Sequence, residues 1–589
     1  MKHFSKIMAL ILSVIICLSV TACGKNEKED TGDLVVARWD MSQVNTAKKR
    51  QTPLYKAIKE ATGTDVTVMS ISNNAYEDKL NMLYAANELP DIFVSTVWDT
   101  PSVYRKWIKD GAVANLSKYV TEKDYPNIYA KLKQFEFLSK TITYAGGSHY
   151  AIPLTNVPMH GMYIRTDWIE NLNNKLGSIL QAEGITTKAE YEANPSAFEE
   201  YKFKTPQTLT EFYRLAYAFT NYDPDGNGSD DTYGYSCCSR TMWYNNWIFE
   251  AMSTGTGKYH DSTYWGFVDD GNGGVTASWV TEGNKQAVAF LNKLYQEKIL
   301  DPDYIVNSES DCRTSFIKGK VGMYLENNYY NTILGNFMDT YGVSMEEGKK
   351  MFTIISTPAG EYGQSGTRTD PGFWRGVCIS GKMSKKRIQR ALKYLDYLMS
   401  PEAAELFTYG IEGVHYKVEN GERVSLMGKN SNGFNYTLET YDYAFPLSSL
   451  ATWNFAYNSP YESNREEIDE IFAAIKSTAK RDMFCILQTE NYMEYDLSAS
   501  NNACEYFVGM IKDGSLYNSS LKKGFKVGLN DFDQLTSKNA YNAKYNSEWN
   551  DFCNKYRKNW KGDLIVSELA AKYPSVSSYY DKLYEELNK

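Results

Sequence analysis

A chain of 589 residues is too long for a single hydrophobic core, so at least two folded units are expected. Its 43% apolar residues supply material for them. A formal charge of −9, with no long block of Lys or Arg in the mature part, argues against a nucleic-acid partner, because affinity for phosphate backbones rests on clustered positive charge.

The first element is an export signal. Residues 1–22 combine Lys2 and Lys6 with the apolar run Met8 to Val20, which is too short for a standard membrane span. The segment ends in "LSVTAC", which resembles the bacterial lipobox, where small residues precede a cysteine that is lipidated and becomes the mature N-terminus. That cysteine is Cys23. Residues 23–32 are charged and poor in apolar side chains, as a flexible tether requires.

Residues 33–150 form the first part of lobe 1. "DLVVARWD", "YKAIKEAT", "DVTVMSIS", "NAYEDKLNMLYAANELP" and "DIFVST" alternate strand and helix patterns, which predicts a mainly parallel sheet with crossover helices. Ligands of such sheets bind beyond the carboxyl ends of the strands, so Trp39, Asp40, Trp98 and Asp99 are candidate binding residues.

Residues 151–310 are assigned to lobe 2. Thr208 and Glu211 stand at capping-box spacing, and Phe212, Leu215, Ala216 and Phe219 line one helical face. The loop "DPDGNGSDDTYG" (223–234) follows directly. Asp223, Asp225 and Asn227 occupy EF-hand-like positions one, three and five, Gly228 makes the turn, Ser229 offers a carbonyl and Asp231 stands at nine. Position twelve, where an EF-hand has a bidentate Glu, is Gly234. A structural calcium is expected, its shell completed by Asp230, by bidentate Asp231 or by water. By contrast "VDDGNGGV" lacks this spacing and reads as a hairpin turn.

Residues 311–400 are expected to return to lobe 1 and the hinge, beginning with the helix, turn and strand of "RTSFIKGKVGMYLEN". Residues 401–589 are assigned mainly to lobe 2 and a C-terminal extension, with Ser400-Pro401 opening a helix and "NREEIDEIFAAIKSTA" forming another. Several crossings between α/β lobes predict a hinged clamshell of the periplasmic-binding-protein type. Five histidines without metal-pair spacing, and no phosphate loop or G-x-S-x-G, give no enzyme signature. Adjacent Cys237 and Cys238 read as small buried hydrophobes.

The lipobox, "ANELPDIFVS", "YAIPLTN", "GMYIRTDWIENL", "TLTEFYRLAYAFTNYDPDGNGSDDTYG", "LNKLYQEKILDPDY", "FIKGKVGMYLEN" and "YGIEGVHY" occur in that order. Together they resemble the extracellular solute-binding proteins, family 1, in the large lipoprotein branch of Gram-positive bacteria. The resemblance runs from about Asp33 to Tyr416. It implies two α/β lobes, an oligosaccharide ligand, docking onto an ABC importer permease and no catalysis. Family members that bind acidic oligosaccharides carry a similar calcium loop with a bidentate carboxylate directly after position nine, a place held here by Thr232.

Sugars stack apolar ring faces on aromatics while their hydroxyls meet polar anchors. That adds Trp243, Trp247, Asn327, Asn328, Tyr329, Trp374 and Arg375 to the candidates. The expected protein is a monomeric lipoprotein on the outer face of the membrane, held by Cys23, that delivers its ligand to the permease. The alternatives are a surface glycoside hydrolase or other carbohydrate-active enzyme, and an extracellular ligand sensor or scaffold.

Overall fold

The computed structural model describes residues 32–39, 52–72, 75–95, 101–136, 147–155, 160–238, 243–253, 267–269, 275–369, 373–438, 460–478, 480–481, 490–536, 541–572 and 585. The chain forms two compact units. Unit 1 takes residues 1–154, 375–411 and 442–453, and unit 2 takes 155–374, 412–441 and 454–589.

In chain order, β1 (Leu34–Trp39), α1 (Pro53–Thr62), β2 (Val66–Ile71), α2 (Tyr76–Ala85), β3 (Ile92–Ser95), α3 (Pro126–Gln134) and β4 (Ile152–Thr155) open unit 1. Unit 2 follows with β5 (Gly161–Arg165), α4 (Leu209–Asn221), β6 (Tyr233–Ser236), α5 (Glu282–Gln296), α6 (Glu309–Ile317), β7 (Val321–Glu326) and β8 (Phe352–Ile355). β9 (Phe373–Ile379) and α7 (Lys385–Leu398) return to unit 1. The C-terminal part of unit 2 contains α8 (Arg465–Thr478), α9 (Glu490–Lys512), α10 (Ala543–Asn554) and α11 (Gly562–Lys572).

The sheet of unit 1 has the order β2-β1-β3-β9-β4. β1 runs parallel to β2, from Leu34↔Val66 to Trp39↔Ile71, and parallel to β3, as the alternating pattern predicts. β9 lies antiparallel to β3. Between the first two strands, α1 starts where Thr52 accepts from the Tyr55 amide and Pro53 tolerates the missing N–H, and it stops at Gly63 with φ +64°. Its Leu54, Tyr55 and Ile58 face the core. Asp91, at the start of β3, is fully buried; it accepts from the Val35 amide at 2.7 Å and from Arg387 Nε at 3.0 Å. One carboxylate thus joins β1, β3 and α7.

The four-stranded sheet of unit 2 is mixed, in the order β8-β5-β7-β6, with only β6 and β7 parallel. The capping box of α4 forms, with Thr208 and Glu211 each accepting from the other's backbone N–H at 3.2 Å, and Phe212, Leu215, Ala216 and Phe219 are buried. Residues 311–374 belong to unit 2, in contrast to the expected return to lobe 1 from residue 311. The reason lies in β7, which is inserted between β5 and β6 and holds α6 with it. Ser400 caps the helix Pro401–Tyr409 as expected, and the "VDDGNGGV" region contributes two antiparallel strands, Phe267–Asp269 and Val275–Ala277.

The C-terminal helices belong to unit 2, where Phe507, Trp549, Phe552 and Tyr556 bury an aromatic cluster against Trp279. Among the described residues no helix is long and apolar enough to cross a membrane.

Candidate functional site

Parallel strands β6 and β7 run side by side in unit 2, β7 extends two residues past the pairing of Ser236 with Tyr324, and the turn that follows it is held by fixed polar contacts. Glu326 closes β7 and is 1% exposed. Its Oε1 accepts from the Asn327 amide at 2.8 Å and its Oε2 from Arg313 Nη2 at 2.7 Å. The Tyr163 hydroxyl, reaching over from β5, donates to the Asn327 carbonyl at 2.9 Å and accepts from the Tyr329 amide at 3.0 Å. Two side chains therefore fix the turn Asn327–Tyr329 from opposite ends. Tyr329 stays 37% exposed, with the Arg313 guanidinium 4.1 Å from its ring centre.

Electrostatics sharpen this surface. Burial pushes the Glu326 carboxyl up to about 7, against the opposing pull of Arg313. Tyr244 is raised by burial and then by the Glu309 carboxylate. His160 meets the Tyr244 ring edge-on at 5.9 Å, and burial lowers its imidazole to about 4. With Glu326 buried beneath it, the cluster offers an aromatic face, the amides of Asn327 and Asn328, the exposed Glu309 carboxylate and one guanidinium, the repertoire that recognises hydroxyl-rich ligands.

The acidic loop lies elsewhere in unit 2, between α4 and β6. Asp223 (φ +42°), Gly226 (φ +72°) and Gly228 (φ +83°) make its tight turns. The Asn227 side-chain amide donates to Asp225 Oδ2 at 2.9 Å and Asp231 Oδ1 at 3.2 Å, while its Oδ1 accepts from the Ser229 amide at 2.8 Å. Lys320 Nζ pairs with Asp231 at 2.6 Å, because the register of β6 and β7 sets Lys320 opposite the entry to β6. Lys175 Nζ donates to the Asp223 carbonyl and lies 3.8 Å from Asp223 Oδ2. Partial burial, then the neighbouring Asp223 carboxyl, raises Asp225.

As a calcium site, the loop fits in donor chemistry and differs in arrangement. Asp223 Oδ1 is buried with no hydrogen-bond partner, the condition of an oxygen that a cation would complete. Yet among the described residues no three His, Cys, Asp or Glu side chains converge as a metal cage. Thr232 is buried, and Gly234 packs so closely on α4 that a Cβ would lie 2.1 Å from the Ala216 carbonyl oxygen, so neither position can supply the missing carboxylate.

The other sequence candidates separate. Trp247 is corrected to a core residue: it is 0% exposed, donates Nε1 to the Tyr235 hydroxyl at 2.9 Å and packs edge-on to Phe212 at 4.9 Å. Arg375 is buried in unit 1 beside Tyr76, at 5.6 Å from its ring. Trp39 ends β1, Trp374 lies in β9 and Trp243 opens a short turn, but their side chains lie outside the described residues, as do Asp40, Trp98, Asp99 and Cys23. Cys237 and Cys238 are buried, as expected.

The sequence reading missed Arg313, Glu326 and Tyr163. Their only local signal was the acid immediately preceding "NNYY"; the partnership itself depends on how α6 and β5 pack against β7.

A family described as bacterial extracellular solute-binding protein matches residues 45–405, more than half of the chain. The polygalacturonan/rhamnogalacturonan-binding protein YtcQ of Bacillus subtilis is 27% identical over 79% of this chain and 84% of its own. Lipoprotein LipO of the same organism is 27% identical over 65% and 67%. Among solved structures, the S. pneumoniae ABC-transporter substrate-binding protein FusA in complex with kestose aligns at TM-score 0.61 and 14% identity, covering 95% of this chain and all of that one. An EF-hand mutant of FusA with fructo-nystose aligns at 0.57 with the same identity and coverage. These structures share the periplasmic-binding-protein-like α/β fold. The chain belongs to the bacterial extracellular solute-binding protein family.

Proposed function

We propose that this protein is a lipid-anchored receptor, held through Cys23 on the outer face of the membrane, that captures an oligosaccharide and delivers it to an ABC importer permease. The observation that carries the ligand class is the fixed Asn327–Tyr329 turn with its half-open aromatic ring. A rigid aromatic beside amides and a guanidinium suits a sugar, because its ordering cost is met before the ligand arrives. Relatives named for polygalacturonan, rhamnogalacturonan and fructo-oligosaccharide support the same reading. The LipO name and the lipobox support the anchor. Ligand binding biases the receptor toward the conformation that the permease recognises.

The acidic loop, in this reading, holds a structural calcium. Asp223, Asp225, Asn227 through its Oδ1 and the Ser229 carbonyl would hold it, with Asp231 released from Lys320. Turning over the Asn227 amide converts its donor into the required oxygen. Titration of the purified protein with a panel of oligosaccharides tests the function. Saturable binding without product is expected, and turnover of a bound glycan would overturn the reading.

A further inference from the structure

Helix α7 carries an outward face of one sign. Lys385, Lys386 and Lys393 are exposed, Arg390 is half-buried, and the helix's one acid, Asp396, is buried and accepts from the Ile128 amide at 2.8 Å. The three lysines make no ion pair with any described residue. Around them, Lys56 is exposed on the packed helix α1 beside Glu60, Lys59 pairs with Asp65, on α3 Lys133 pairs with Glu136, and the packed helix Pro401–Tyr409 carries exposed Glu402 and Glu405. Such a face stands out in a chain of net charge −9.

The same helix holds the start of the folded body. Arg390 Nη2 donates to the Gly32 carbonyl at 2.7 Å, and Arg387 Nη2 to the Asp33 carbonyl at 2.6 Å. Residues 23–31 precede that point, and a fully extended tether of this length spans only about 30 Å. Whatever brings Cys23 to the membrane therefore brings α7 with it.

We propose that the exposed face of α7 is a docking surface for an anionic phospholipid bilayer, a second membrane contact beside the lipid; the proposal rests on the reading of Cys23 as the anchor. The net charge of the chain is repelled by such a surface, whereas Lys385, Lys386 and Lys393 are attracted to it within a Debye length. The contact supplements the acyl anchor and selects which side of unit 1 faces the lipid.

The test is flotation of the full chain recovered from cells with vesicles of phosphatidylcholine alone or mixed with phosphatidylglycerol, at low and high salt. Partition onto the phosphatidylglycerol vesicles is expected to be stronger by on the order of tenfold or more. The preference should vanish at high salt and in K385Q/K386Q/K393Q, which leaves Arg390 on Gly32, with an unchanged melting temperature. Equal partition to both vesicles, a variant that keeps the preference, or capture by a soluble polyanion in place of vesicles overturns the proposal. N-terminal mass separates the two readings: an unlipidated chain that still prefers phosphatidylglycerol sinks the anchor alone, whereas a lipidated chain indifferent to lipid charge sinks the α7 contact.

Discussion

The hydroxyl of Thr232, within the acidic loop, donates to the Phe219 carbonyl at 2.6 Å, in the last turn of α4. The position directly after Asp231 therefore serves helix termination, and any cation in the loop must bind without a carboxylate there. Weak calcium affinity follows, with Kd of roughly 10⁻⁴ to 10⁻³ M. Chelation should lower the melting temperature of unit 2, and Asp225→Asn should remove that dependence. Lys320→Met, which frees Asp231 from its ammonium partner, should tighten calcium binding several-fold by calorimetry. A melting temperature indifferent to millimolar calcium would refute the site.

Glu326 makes stability depend on pH. The unfolded chain releases this proton near 4.3, whereas the fold holds it to about 7, so the stabilisation is complete below 4.3 and is lost as pH rises through 7. Its size is on the order of 3 kcal/mol. Glu326→Gln should flatten that part of the pH profile in urea titrations from pH 4.5 to 8. An unchanged slope would show that Glu326 titrates normally.

Tyr329 and Trp247 should respond oppositely to truncation. Tyr329→Ala and Arg313→Ala are expected to weaken oligosaccharide binding tenfold or more while the circular dichroism spectrum is retained. Trp247→Ala should cost about 3–5 kcal/mol of stability through its cavity and the lost bond to Tyr235, with ligand affinity of the folded fraction unchanged. The comparison fails if the stability loss follows Tyr329.

A second buried charge pair ties the C-terminal segment to unit 2. Lys293 Nζ lies 2.6 Å from Glu297 Oε1 and donates to the Lys522 carbonyl at 2.8 Å, and both side chains are shut off from solvent. The Tyr213 and Tyr517 hydroxyls donate to the same carboxylate at 2.6 and 2.7 Å. Lys293→Met leaves that carboxylate without its cation, so a loss of about 3–5 kcal/mol is expected. The double variant K293M/E297L should lose less than the two single variants together, a non-additivity that denaturant titration would reveal or refute.

By itself the sequence determined the local elements and the family resemblance. Alternation in residues 33–95, the Thr208–Glu211 capping box and the Ser400-Pro401 start depend on neighbours a few positions apart, so they survive without tertiary context. Tertiary structure alone decided which aromatics are core and which are surface, because helical or strand period gives a face and not what covers it. Trp247 and Tyr329 are equally plausible sugar platforms as letters; Phe212 and Tyr235 bury the first, while Tyr163 and Arg313 hold the second half open. The loop at 223–234 shows the same division. Its oxygen spacing is a property of the sequence, but its competing cation, Lys320, stands just before β7, 89 residues away from Asp231, and is placed there by the register of β6 and β7.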